Sequence, residues 1–163
     1  MRVRIRNVCE QDYEEIFPLL QALWQDRILD KEALHAVFRN ALSSSQDFAF
    51  VAEADGKICG FTAGVISNCY YHAGILCFIS VLVVNAEIRG KGVGTKLLNH
   101  VESYSQSRKC DAIELDANFH REASHAFYEH FGFVKRAYTF TLSREKINEH
   151  INEKRVEKDN AQM

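Results

Sequence analysis

The chain has 163 residues, 47% of them hydrophobic, with 20 basic and 22 acidic side chains and a formal net charge of −2. That length suits one domain, that hydrophobic share argues against disorder, and the lack of a basic excess leaves no general grip on a nucleic-acid backbone. No apolar run reaches the ~20 residues of a membrane helix, and the basic start Met1–Arg6 is not followed by the apolar stretch of a signal peptide. Neither nucleic acid nor membrane is therefore expected as a partner, and a cytoplasmic setting is expected.

Arg2, Val3, Arg4, Ile5 and Arg6 alternate, which predicts a strand. Asp12, an acceptable N-cap, opens an amphipathic stretch in which Ile16, Leu19, Leu20, Leu23 and Trp24 share a face. Pro18 inside it should kink the helix or move its start. A second helix is predicted over 31–42, with Leu34, Phe38 and Leu42 in line. Strands follow over 48–53 and 58–66, joined by Asp55-Gly56, a two-residue hairpin signal. After a turn at 68–74, the nearly continuous apolar run 75–84 predicts a buried central strand. A loop at 85–91 leads into a helix over 92–107, then a strand over 112–117 and a helix over 122–131. Gly132 is placed to end that helix. The alternation of Tyr138, Phe140 and Leu142 predicts a last strand over 133–142. Residues 144–163 are dominated by charge and predict a solvated tail, helical or disordered, behind a domain of residues 1–143. The order is mixed α/β, with antiparallel hairpins early and one β-α-β unit late.

The five cysteines form no C-x-x-C pair, and an odd count suits reduced thiols. His120, His125 and His130 recur every five residues, a step of about 140° around a helix that scatters them over different faces. No H-E-x-x-H occurs, and no metal is expected.

The informative segment is Val81-Leu-Val-Val-Asn-Ala-Glu-Ile-Arg-Gly-Lys-Gly-Val-Gly-Thr-Lys-Leu-Leu98, where a buried strand runs through a glycine loop into an amphipathic helix that carries Val93, Leu97, Leu98 and Val101. A helix start presents unpaired N–H groups and partial positive charge. Gly90, Gly92 and Gly94 remove the Cβ atoms that hold an anion away from the backbone, and Arg89 and Lys91 add full charges. Strand, loop and helix together predict a diphosphate site. The spacing fits neither the P-loop nor the dinucleotide fingerprint.

Arg89-Gly90-Lys91-Gly92-Val93-Gly94 resembles the Arg/Gln-x-x-Gly-x-Gly/Ala motif of the Gcn5-related N-acetyltransferases (GNAT). Ala126-Phe127-Tyr128-Glu129-His130-Phe131-Gly132-Phe133 resembles the closing helix of that family. Within it, Glu114–Arg121 and Ser124–Tyr128 resemble the aminoalkylphosphonate and aminoglycoside N-acetyltransferase branch. The resemblance implies a GNAT fold, a mostly antiparallel sheet whose fourth and fifth strands splay apart between flanking helices. It implies transfer of an acetyl group from acetyl-CoA to the primary amine of a small molecule. A protein or peptide acetyltransferase, or a CoA-binding module without turnover, are the alternatives.

Carried onto this chain, the backbone of Leu82, Val83 and Val84 would hold the thioester and pantetheine arm. The amides of Arg89, Gly90, Lys91, Gly92, Val93, Gly94 and Thr95 would cradle the pyrophosphate, with Asn118 and Phe127 against the arm. Tyr128 matches the general acid that protonates the departing thiolate. The base is open, because Phe78-Ile79-Ser80-Val81 has no carboxylate where many relatives carry Glu. Asp116 is favoured over Glu114, His72, His120 and His125. Tyr70, Tyr71, His72 and Trp24 are expected at the acceptor pocket, and family habit with an apolar last strand implies a homodimer.

Overall fold

The structure, a computed structural model, describes residues 1–161; residues 162–163, the end of the expected tail, lie outside the described residues. The chain forms two compact units, Met1–Glu122 and a second that begins at Ala123. The first holds five strands: β1 (Val3–Asn7), β2 (Asp47–Ala54), β3 (Lys57–Cys69), β4 (Gly74–Val84) and β5 (Ala112–Leu115). It also holds three helices: α1 (Tyr13–Leu23), α2 (Lys31–Ser43) and α3 (Val93–Ser107). The strands lie in chain order across one sheet. The hairpin-linked pairs are antiparallel, and β5 returns parallel to β4 after the α3 crossover.

Alternation along the strands sends side chains to two cores. Val51, Phe61 and Val83 pack against Tyr13, Ile16, Leu20 and Phe38 of α1 and α2. Ala52, Ala54 and Cys59 pack against Val93 and Leu97 of α3. The α3 residues predicted to face inward, Val93, Leu97, Leu98 and Val101, are all buried. Asp55 and Gly56 both take positive φ, 51° and 75°, as a two-residue hairpin turn requires.

Two expectations about α1 are corrected. Asp12 does not cap it with its side chain. A short 3-10 turn, Glu10–Asp12, precedes the helix, so Asp12 sits inside helical backbone and its carboxylate turns back to accept from Cys9 N at 2.8 Å. That carboxylate also receives two hydrogen bonds from Arg6, at 2.7 and 2.9 Å. Pro18 does not move the start of α1, which begins at Tyr13 and runs through it. The proline lies on the exposed side while Ile16, Leu19 and Leu20 are buried, so the helix is held by its apolar face rather than by the lost hydrogen bond.

The predicted helix 122–131 is α4 (Glu122–Phe131). Gly132 ends it at φ 116°, and the N–H groups of Gly132 and Phe133 both reach Tyr128 O. The predicted last strand over 133–142 is not one: the segment has no regular secondary structure. Alternation creates two faces, but a strand also needs a ladder, and the sheet of the described residues ends at β5. The tail forms helix α5 (Arg144–Ala161), with Ser143 Oγ accepting from Lys146 N at its start.

Candidate functional site

The central feature is where β4 leaves β5. Their ladder pairs Leu76, Cys77, Phe78 and Ile79 with Ala112, Ile113, Glu114 and Leu115, and stops there. β4 continues to Val84, paired with β3 alone. The departure coincides with a β-bulge. Ile79 faces Gly64 and Val81 faces Ala63, so Ser80 is the extra residue. Ser80 Oγ donates to Ala63 O at 3.2 Å, and buried Thr62 donates to Val81 O at 2.9 Å, which fixes the bent strand. Val83 enters the α1–α2 core, and Leu82 and Val84 pack toward α3. Alternate backbone groups over 80–84 thus face the side from which β5 has parted.

At the end of β4 the chain is tied down residue by residue. Asn85 N donates to Cys59 O at 2.9 Å, and Asn85 Oδ1 accepts from Glu87 N at 3.0 Å. Arg89 Nε donates to Val84 O at 3.1 Å, so this cation is anchored at the strand end. Gly92 is the residue before α3, in the left-handed region at φ 77°, where a Cβ is unfavourable. The first helical bond runs from Lys96 N to Gly92 O, which leaves the N–H groups of the first turn for an outside acceptor. That turn has no acidic side chain, and no other residue crowds Gly90 or Gly92 within 4 Å. An exposed, positively polarised helix start results.

The β3–β4 turn carries Tyr70, Tyr71 and His72. Tyr70 is fully exposed, and Tyr71 meets the His72 ring edge-on at 5.0 Å. His72 Nε2 lies 2.8 Å from Glu114 Oε1 on β5. The turn is clamped beside this contact. Asp111 Oδ2 accepts from Ile75 N, Asp111 N donates to Ile75 O, both at 2.7 Å, and the same carboxylate occupies the space a Cβ on Gly74 would need. At the other sequence-predicted pocket position, Trp24 follows α1 and packs on the α1–α2 core. Arg121 donates to Leu23 O at 2.6 Å, closing the C-terminal end of that helix.

A family model described as the acetyltransferase (GNAT) family matches residues 9–133. The chain belongs to the GNAT family. It is 27% identical over 140 residues to an uncharacterised N-acetyltransferase of Methanocaldococcus jannaschii, a match that covers 81% of this chain but only 61% of that relative. It is 31% identical over 111 residues to N-alpha-acetyltransferase 30 of Schizosaccharomyces pombe, covering 66% of this chain and 72% of that one. An aminoglycoside N-acetyltransferase solved with CoA superimposes with a TM-score of 0.79 at 22% identity, over 88% of this chain and 95% of that one. The GNAT fold expected from the two motifs is thus the fold observed, apart from the missing last strand.

The remaining positions carried over from the GNAT pattern fall in two places. Asp116, Asn118 and Phe119 follow β5 and are exposed; the predicted strand over 112–117 ends at Leu115, so Asp116 lies just past it. Phe127 and Tyr128 are on α4, partly buried, their rings 5.4 Å apart, with Phe133 edge-on to Tyr128 at 5.8 Å. On β4, burial pushes the Cys77 thiol up to about 12, so it stays protonated. No cluster of three or more metal-ligating side chains occurs among the described residues, and none of their helices is long and apolar enough to cross a membrane. Three contacts escaped the sequence reading: Asp111 with Ile75, Arg121 with Leu23 O, and His72 with Glu114. Contacts across 36, 98 and 42 residues leave no local trace in the sequence.

Proposed function

We propose that the protein transfers an acetyl group from acetyl-CoA to the primary amine of a small molecule. The observation that carries the reading is the parting of β4 from β5 after Ile79, directly upstream of the polarised loop 89–95. In this reading the pyrophosphate takes N–H groups from Arg89 to Thr95, and the backbone of Leu82, Val83 and Val84 takes the pantetheine arm and thioester. A β4 N–H polarises the carbonyl as the oxyanion develops. Tyr128 gives its proton to the thiolate, and Asn118 and Phe127 flank the arm. The small-molecule acceptor is supported by the likeness to the aminoglycoside enzyme and by aromatic Tyr70 and Tyr71 at the rim. We take residues 1–143 as the acetyltransferase domain and α5 as an appended charged element. Five free cysteines suit a reducing, cytoplasmic setting.

A second reading, acetylation of a peptide amine, is favoured by the likeness to the yeast N-alpha-acetyltransferase. A panel separates the two. Acetyl-CoA consumption is followed with polyamines, aminoglycosides and amino sugars on one side and peptides with free N-termini or lysines on the other. The expected outcome is a higher kcat/KM for at least one small amine than for every peptide. The reverse ranking establishes the peptide reading, and CoA binding without consumption of acetyl-CoA by any amine makes the chain a CoA-binding module.

A further inference from the structure

This inference rests on the acetyltransferase reading and supplies its missing base. Acyl transfer needs an amine stripped of its extra proton, and β4 has no carboxylate at 78–81 to take it. We propose that His72 is the general base, with Glu114 as the positioning residue that holds its ring.

Three observations carry it. First, the pair is made: Nε2 of His72 lies 2.8 Å from Glu114 Oε1, with both side chains largely covered, at 22% and 29% exposure. A carboxylate only accepts, so the contact keeps the hydrogen on Nε2 and leaves the Nδ1 lone pair to receive a proton. Second, the pair is at the right place. Glu114 is opposite Phe78, one step before the last rung between β4 and β5. Phe78 is opposite Val65, on the same face of β3 as Ala63, which faces Val81 and packs on the α1–α2 core. Glu114 therefore lies on the α1–α2 face of the sheet, about 3 Å along the strand from where the two strands part. Third, the turn is built to hold the histidine there. Ala73 takes a φ of 51°, and Asp111 grips Ile75 at both backbone atoms against a Gly74 that has no Cβ to interfere. In this proposal His72 takes the place of Asp116 as the base.

The protons balance. The ammonium gives one proton to Nδ1 of His72, which later passes it to solvent. The amine nitrogen then bonds to the acetyl carbon, the C–S bond breaks, and the sulfur takes a proton from Tyr128. The second N–H proton of the attacking amine leaves as the amide forms and restores Tyr128 through solvent. The sum is ammonium plus thioester giving amide, thiol and one free proton.

The test combines 15N NMR of histidine-labelled protein, with CoA itself as probe, and kinetics with the best amine of the panel. The His72 ring should show a hydrogen on Nε2 only, lose that preference in Glu114→Ala, and shift when CoA is added. His72→Ala should lower kcat by roughly 10²-fold, with CoA affinity by calorimetry changed less than about twofold. Added imidazole should restore at least about a tenth of the lost rate, which a purely structural histidine would not allow. If CoA binds but the His72 signals do not move, or His72→Ala turns over at the wild-type rate, the dyad is a structural hydrogen bond and the proposal is overturned while the acetyltransferase reading stands. If calorimetry finds no CoA binding to the wild-type protein, the reading fails first and the base assignment falls with it.

Discussion

Arg6 and Asp12 show how one residue pair ties sequence to stability. The guanidinium holds the Asp12 carboxyl below the ordinary carboxylate range, outweighing the opposing effect of burial. A depressed folded value means the stabilisation is complete above the unfolded pKa, about 4, and is lost as pH falls through the lower folded value. Asp12→Asn should cost about 2 kcal/mol at neutral pH. Denaturant titrations at neutral and acid pH should show the difference shrinking as the wild-type carboxylate protonates; a gap that is constant with pH would contradict the charge-based account. Tyr128 carries the second prediction at this scale. Tyr128→Phe keeps the ring against Phe127 and Phe133 and removes only the hydroxyl. Its kcat should fall ~10²-fold with CoA affinity nearly constant, since a general acid acts in the transition state. Wild-type turnover in Tyr128→Phe, with chemistry shown to be rate-limiting, would make Tyr128 a packing residue.

Among the elements, the segment from β4 to α3 is the proposed cofactor site. Gly92 has open space where a Cβ would go, so in the proposed reading a side chain there would meet the pyrophosphate before it meets the protein. Gly92→Val should lower CoA affinity at least ~10-fold. It should also cost roughly 1–3 kcal/mol of stability, because a branched residue is strained at φ 77°. Calorimetry on folded protein decides, and unchanged affinity removes the loop from the CoA site. The β3–β4 turn and α1 are less legible in the sequence. A hydrophobic period shows which side of α1 is buried, but Pro18 on the other side says nothing about whether the helix continues. Aromatic residues at 70 and 71 mark a turn with an exposed rim, whereas the clamp that orients it is made by Asp111, far along the chain.

On the scale of the whole molecule, the segment 133–142 leads to the last prediction. Val134, Phe140 and Leu142 are exposed at 83%, 93% and 54%. Apolar side chains in such a run favour association. We therefore expect a homodimer, and light scattering at micromolar concentration should return about twice 18.7 kDa. Charged substitutions at Phe140 and Leu142 should shift that mass toward the monomer. A monomer mass for the unaltered chain would overturn the expectation.

The sequence by itself determined the order of β1 to β5 and α1 to α4, the glycine loop before α3, and the membership implied by two motifs. These are properties of short windows: alternation, helical period, and residues whose backbone preferences are their own. The tertiary structure alone decided three other things. It placed the bulge at Ser80 that bends β4 away from β5, which depends on how Gly64 and Ala63 meet it across the hairpin. It withheld a ladder from residues 133–142, whose alternation supplied faces but no partner strand. And it brought His72 to Glu114, because a hydrogen bond between residues 42 apart is set by the clamped turn and the parallel return of β5, not by any local preference of either residue.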